Sequence, residues 1–112
     1  MESVMTNPIG MMSTTFNGPE VKGGSIIAMR SREGITLSLS DDFMIPGAPA
    51  PHWQVVDAAG NAYLLQRLQV VNDRVNRTIT VPAYVRQVSS VRIYCAFAEV
   101  VLGEVTFSSP VM

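Results

Sequence analysis

Apolar and polar residues alternate with a period of two through much of the chain, and the clearest run is Val91-Arg-Ile-Tyr-Cys-Ala-Phe97. Val91, Ile93, Cys95 and Phe97 fall on one face of an extended segment; Arg92, Tyr94, Ala96 and Ala98 fall on the other. Valine, isoleucine, tyrosine and phenylalanine favour strands. The small, mixed second face predicts a central strand partly covered on both sides. Residues 35–40 alternate cleanly, with Ile35, Leu37 and Leu39 inward and Thr36, Ser38 and Ser40 outward. Residues 75–81 repeat the pattern: Val75, Ile79 and Val81 share a face that Arg77 interrupts, opposite Asn76, Thr78 and Thr80. Further strands are expected over 25–30, 52–57, 62–71 and from 102 to near Phe107.

Turn signals punctuate these runs. Asn17-Gly18-Pro19, Gly23-Gly24, Ala58-Ala-Gly-Asn61 and Asn72-Asp73 read as turns, and Ser31-Arg-Glu-Gly34 as a hairpin loop. Pro46, Pro49 and Pro51 cannot donate to a ladder, so residues 45–51 predict a stiff crossover that carries the chain to another sheet edge. Pro82 ends a strand, and residues 83–90 read as a connection with one short helical turn. No longer helical period is present. Seven to eight short strands with tight hairpins predict an all-β fold, an antiparallel β-sandwich or β-barrel. Residues 1–16 lack a sustained period and read as a flexible arm or a strand added late. Residues 17–112 read as a single β-domain, without internal repeats.

A chain of 112 residues suits one domain and can bury a core without staples. Net charge is −1 with 15% charged residues, which argues against nucleic acid as a partner because phosphate binding needs a basic patch. Seven of the eight basic residues are arginine, scattered along the sequence. No apolar run approaches the ~18 residues of a membrane-spanning helix, and the first residues lack the basic start of a signal peptide. Oligomeric state cannot be read from these features.

One cysteine excludes an intrachain disulfide and any multi-cysteine metal site. One histidine, His52, excludes the two-histidine blue-copper set. A Cys95–His52 catalytic pair would need hydrogen-bond geometry that the sequence does not display, and no strained Gly-x-Ser-x-Gly turn supports a serine triad. No catalytic constellation is visible, so an enzyme is the less expected reading. The sequence implies no cofactor, although Cys95 and His52 leave haem or another redox group open. Asp41-Asp42 reads as two solvated carboxylates at a strand end, with calcium as the alternative. Asn76-Arg-Thr78 matches a glycosylation sequon inside a predicted strand. Trp53 is either the core anchor of a sandwich or an exposed binding platform. Cys95 itself, in line with Val91 and Ile93, reads as a buried thiol packed like a small hydrophobe.

Several of these segments occur in a familiar order. Gly23-Gly24 is followed by Leu37-Ser-Leu-Ser-Asp-Asp-Phe43, by Pro46-Gly-Ala-Pro49 before Trp53-Gln-Val-Val56, and by Ile93-Tyr-Cys95 with Phe97. In this order and spacing the chain resembles the DM13 family over roughly residues 18–107. The resemblance implies a β-domain of extracytoplasmic or cell-surface proteins with a redox-active cysteine and an electron-transfer role. Carried to this sequence, that role falls on Cys95, with Asp42, Phe43, His52, Trp53 and Tyr94 as possible site-lining residues. A lone thiol cannot run an intramolecular dithiol cycle; it would need a cofactor, a partner thiol or a sulfenic-acid step. Two readings therefore stand side by side. One is a redox module that uses Cys95 with a protein or redox partner. The other is a non-catalytic binding or structural module with Cys95 in its core.

Overall fold

The protein is seen in a computed structural model that describes residues 11–32, 34–68, 70–71, 74–75 and 77–112. Ten strands follow in order: β1 (Met11–Met12), β2 (Ile26–Ser31), β3 (Gly34–Leu39), β4 (Pro51–Val56), β5 (Ala62–Arg67), β6 (Val70–Val71), β7 (Arg74–Val75), β8 (Thr78–Thr80), β9 (Val88–Cys95) and β10 (Val100–Val111). They form two four-stranded antiparallel sheets, ordered β1-β2-β3-β8 and β10-β9-β4-β5, and a separate β6-β7 hairpin. No helix occurs among the described residues. The expected all-β antiparallel fold therefore holds, with its main strands in two sheets.

The core is built from the inner faces of both sheets. Ile26, Ala28, Ile35, Leu37, Leu39 and Ile79 come from the first; Trp53, Val55, Val91, Ile93, Cys95 and Val105 come from the second. The period-two reading of β3 is matched residue for residue, since Ile35, Leu37 and Leu39 are buried and their neighbours are half-buried. Burying a side chain such as Ile26, Leu37 or Ile93 contributes roughly 1.5–3 kcal/mol.

Four expectations change. Phe97 does not point inward: β9 stops at Cys95, residues 96–99 make a tight turn, and Phe97 is 80% exposed. The Glu99 amide donates to the Cys95 carbonyl at 2.7 Å, and Glu99 itself takes φ 59°. The strand expected over 62–71 is broken after Arg67, where the Leu68 amide turns to the Pro51 carbonyl at 2.8 Å and buries its side chain. The proline-rich crossover does pass from the first sheet to the second, but β4 lands between β5 and β9 and not at an edge. Pro51 is tolerated there as the first residue of its strand.

The fourth change concerns the N-terminal stretch. Met11 and Met12 pair with Ala28 and Ile27, Phe16 is buried, and the Ser13 hydroxyl accepts the Ile26 amide at 2.9 Å. Residues 11–16 thus pack into the domain. Residues 1–10, the hairpin residue Glu33, the Asn72-Asp73 turn and the sequon residue Asn76 lie outside the described residues. The connection after β8 makes one turn, in which the Val85 amide donates to Pro82 at 3.0 Å.

From Thr14 to Val21 the chain runs along the outer edge of β10. Thr14 and Thr106 exchange hydrogen bonds, Asn17 and Glu104 pair through their backbones, and the Glu20 and Val21 amides both donate to the Leu102 carbonyl. This segment covers part of an edge that would otherwise present unpaired backbone groups.

Candidate functional site

Cys95 ends β9 opposite Pro51, the first residue of β4, and is 1% exposed. The turn that follows aims backbone amides at its sulfur. The Ala98 amide donates to Sγ at 3.4 Å. This amide lowers the thiol pKa below its ordinary value; burial opposes the shift, and the Ala50 and Phe97 amides reinforce it. The environment therefore favours the thiolate while denying it solvent. Cys95 forms no disulfide, and no cluster of metal-ligating side chains occurs among the described residues.

A groove of about 520 Å³ lies over Cys95. The Gly47–Pro49 part of the crossover forms one side, and Ala98, Val100 and Leu102 form another. Pro19 and Glu20 close the remaining side, Glu20 bringing the one charged group of the lining among the described residues. The walls are otherwise apolar or backbone. Phe97 on the adjoining turn and Val100 at the start of β10 stand exposed. This groove has no local sequence signal, because three segments far apart in sequence meet only when the sheets pack.

Of the residues read as possible companions of Cys95, none lines the groove. Asp42 is exposed and accepts the Ser40 hydroxyl; Ser40 in turn accepts the Ser25 amide at 2.8 Å. Phe43 is buried, with its ring 5.3 Å from that of Phe16. The Asp41-Asp42-Phe43 segment thus forms a strand-end turn with an aromatic anchor. Trp53 is fully buried in the core, which removes the exposed-platform reading; its Nε1–H meets no acceptor among the described residues.

His52 and Tyr94 face each other across β4 and β9, one register position from the Pro51–Cys95 pair. Alternation places them on the sheet face opposite Cys95, so Cys95 and His52 occupy neighbouring strands without forming a nucleophile–base pair. The His52 Nδ1–H donates to the Ala50 carbonyl at 2.9 Å, since a carbonyl can only accept. On the same face, Arg92 Nε donates to Glu104 at 3.1 Å and Arg92 Nη1 to the Gln54 side-chain oxygen at 3.3 Å.

Three of the arginines, separate in sequence, come together in space. Arg30, Arg32 and Arg86 line one groove at the opposite end of β3 from Leu39. Their separation along the chain hid this clustering.

Comparison of the chain with protein-family models, with curated proteins and with solved structures found no match. The likeness to DM13 domains accordingly rests on the sequence motifs alone.

Proposed function

We propose that this protein is a non-catalytic binding module whose groove over Cys95 receives an apolar side chain of a partner protein, with the thiol as part of the packed floor. The observation that carries this reading is the concave, largely apolar groove bounded by residues 47–49 and 98–102. Ligand sites are typically concave and apolar, with few polar groups. Exposed Phe97 and Val100 beside it extend the apolar surface. The cell-surface location implied by the DM13 resemblance has no bearing on this geometry.

A neutral fluorescent probe, N-phenyl-1-naphthylamine, tests the groove. Saturable enhancement with the native protein, lost in Ala98→Trp, is expected. An Ala98→Trp variant that keeps the native fold and binds the probe unchanged would remove the groove from consideration.

One observation favours the redox alternative: the Ala98 amide that lowers the Cys95 pKa. Alkylation of Cys95 by iodoacetamide across pH separates the two readings. The binding-module reading expects labelling only after unfolding. Rapid labelling of the native protein, with an apparent pKa below the free-thiol value of about 8.5, would instead favour an accessible redox thiolate.

A further inference from the structure

Six of the seven arginines have described side chains, and they divide into two sets. Arg67, Arg77 and Arg92 are used within the fold: Arg67 donates to the Pro49 carbonyl, Arg77 to the Ser40 carbonyl, and Arg92 to Glu104 and Gln54. Arg30, Arg32 and Arg86 have no hydrogen-bond or ion-pair partner for their guanidinium groups among the described residues. These three line the same groove, of about 260 Å³.

The groove is positioned by the fold. Arg30 lies on β2 and Arg32 in the turn to β3, so the hairpin sets two of the cations. The Val81 amide donates to the Ile35 carbonyl at 2.8 Å, pinning the connection that carries Arg86 against β3. Ile35, Val81 and Val85 are buried side chains in its lining, so three exposed cations border an apolar floor. Among the described residues, no carboxylate belongs to that lining. Like charges held together without a counter-charge repel, and the planar guanidinium fork matches tetrahedral oxyanions in bidentate geometry.

We infer that this groove binds the monoester of a tetrahedral oxyanion, phosphate or sulfate, with the three arginines on the anionic head and the apolar floor under the ester's carbon group. The site is separate from the groove over Cys95 and does not depend on its role.

The test is titration of the isotope-labelled full chain with phenyl phosphate and, in a parallel arm, phenyl sulfate, followed by NMR. Saturable shifts are expected in the side-chain Nε–H signals of Arg30, Arg32 and Arg86 and in the amides of 81–86. Single Arg32→Gln and Arg86→Gln variants should each weaken binding about tenfold, the effect of losing one charge-assisted hydrogen bond. Affinity should fall as salt is raised. The tighter of the two probes identifies the oxyanion. Benzoate binding as tightly as either probe would overturn the assignment to a tetrahedral group. Shifts of equal size at Arg77 and Arg92 would reduce the effect to general ion exchange and overturn the site. Binding that appears only in Glu33→Gln would also overturn it, because Glu33 would then be the groove's own counter-ion.

Discussion

Gly18 meets Gly103 backbone to backbone: a β-carbon placed on Gly18 would lie 2.5 Å from the Gly103 Cα and 2.4 Å from the Leu102 carbonyl oxygen. Both contacts are with backbone, which cannot swing aside as a side chain can. Gly18→Ala should therefore push the N-terminal segment off the β10 edge and destabilise the protein by about 1–3 kcal/mol, the usual range for overpacking. Urea unfolding of the variant measures this loss. Wild-type stability in Gly18→Ala would mean that the segment contributes little to holding β10.

Trp53 presents two opposing effects at one position. It is fully buried, yet its Nε1–H lacks an acceptor among the described residues. An unsatisfied buried donor costs about 1–3 kcal/mol. Trp53→Phe removes that donor while leaving a small void, so it should cost much less than Trp53→Ala, for which about 3–5 kcal/mol is expected. Denaturant midpoints of the two variants give the comparison. Equal losses would show that a polar partner is satisfied at Nε1.

Asp57 organises the β4-β5 hairpin. Its carboxylate accepts the Ala59 and Asn61 amides, the Asn61 side-chain amide and the Tyr63 hydroxyl. The Asn61 side chain and then its amide hold the carboxyl below its ordinary value of 3.8, with Tyr63 and Ala59 adding to this and desolvation opposing. A group with a depressed folded pKa contributes stability above its unfolded pKa and loses it as pH falls through the folded one. Acid titration of stability should thus show a loss beginning near pH 4 that continues below it, and Asp57→Asn should flatten that limb. An unchanged limb in Asp57→Asn would assign the acid loss to other carboxylates.

The Arg92–Glu104 pair should matter little. Both side chains are about one-third exposed, and solvent screens such pairs. Glu104→Gln should change stability by less than about 1 kcal/mol, with thermal unfolding as the readout. A larger loss would show that Arg92 depends on Glu104 to stay against Gln54.

The sequence displayed the sheets better than their ends. Alternation located β3 and the Val91–Cys95 half of β9 because each buries one face, and that signal is local. It carried Phe97 too far because Ala96-Phe-Ala-Glu99 contains no glycine or proline to announce a turn. The turn is enforced instead by backbone bonds between Cys95 and Glu99 and between Ala50 and Ala96. Phe16 could not be recognised as core because its ring partner, Phe43, lies on a distant turn. The same limit applies to both grooves. Cys95 was visible as a lone thiol in a strand, but its amide donors and the crossover above it come together only in the folded chain. Arg30 and Arg86 are neighbours through the hairpin and the Ile35–Val81 bond, not through spacing.

The hydrogen bonds between residues 14–21 and β10 join stretches separated by most of the chain. A ribosome makes the first of these stretches early and the second late. During translation, the Thr14, Asn17 and Gly18 contacts must therefore wait for a partner that does not yet exist, while the β2-β3 hairpin and the Phe16–Phe43 ring contact can already form. Long-range closures of this kind slow folding. The bonds of residues 14–21 to β10 should consequently lock after those of residues 11–16 to β2 and Phe43, sealing the sheet edge only once β10 has left the exit tunnel.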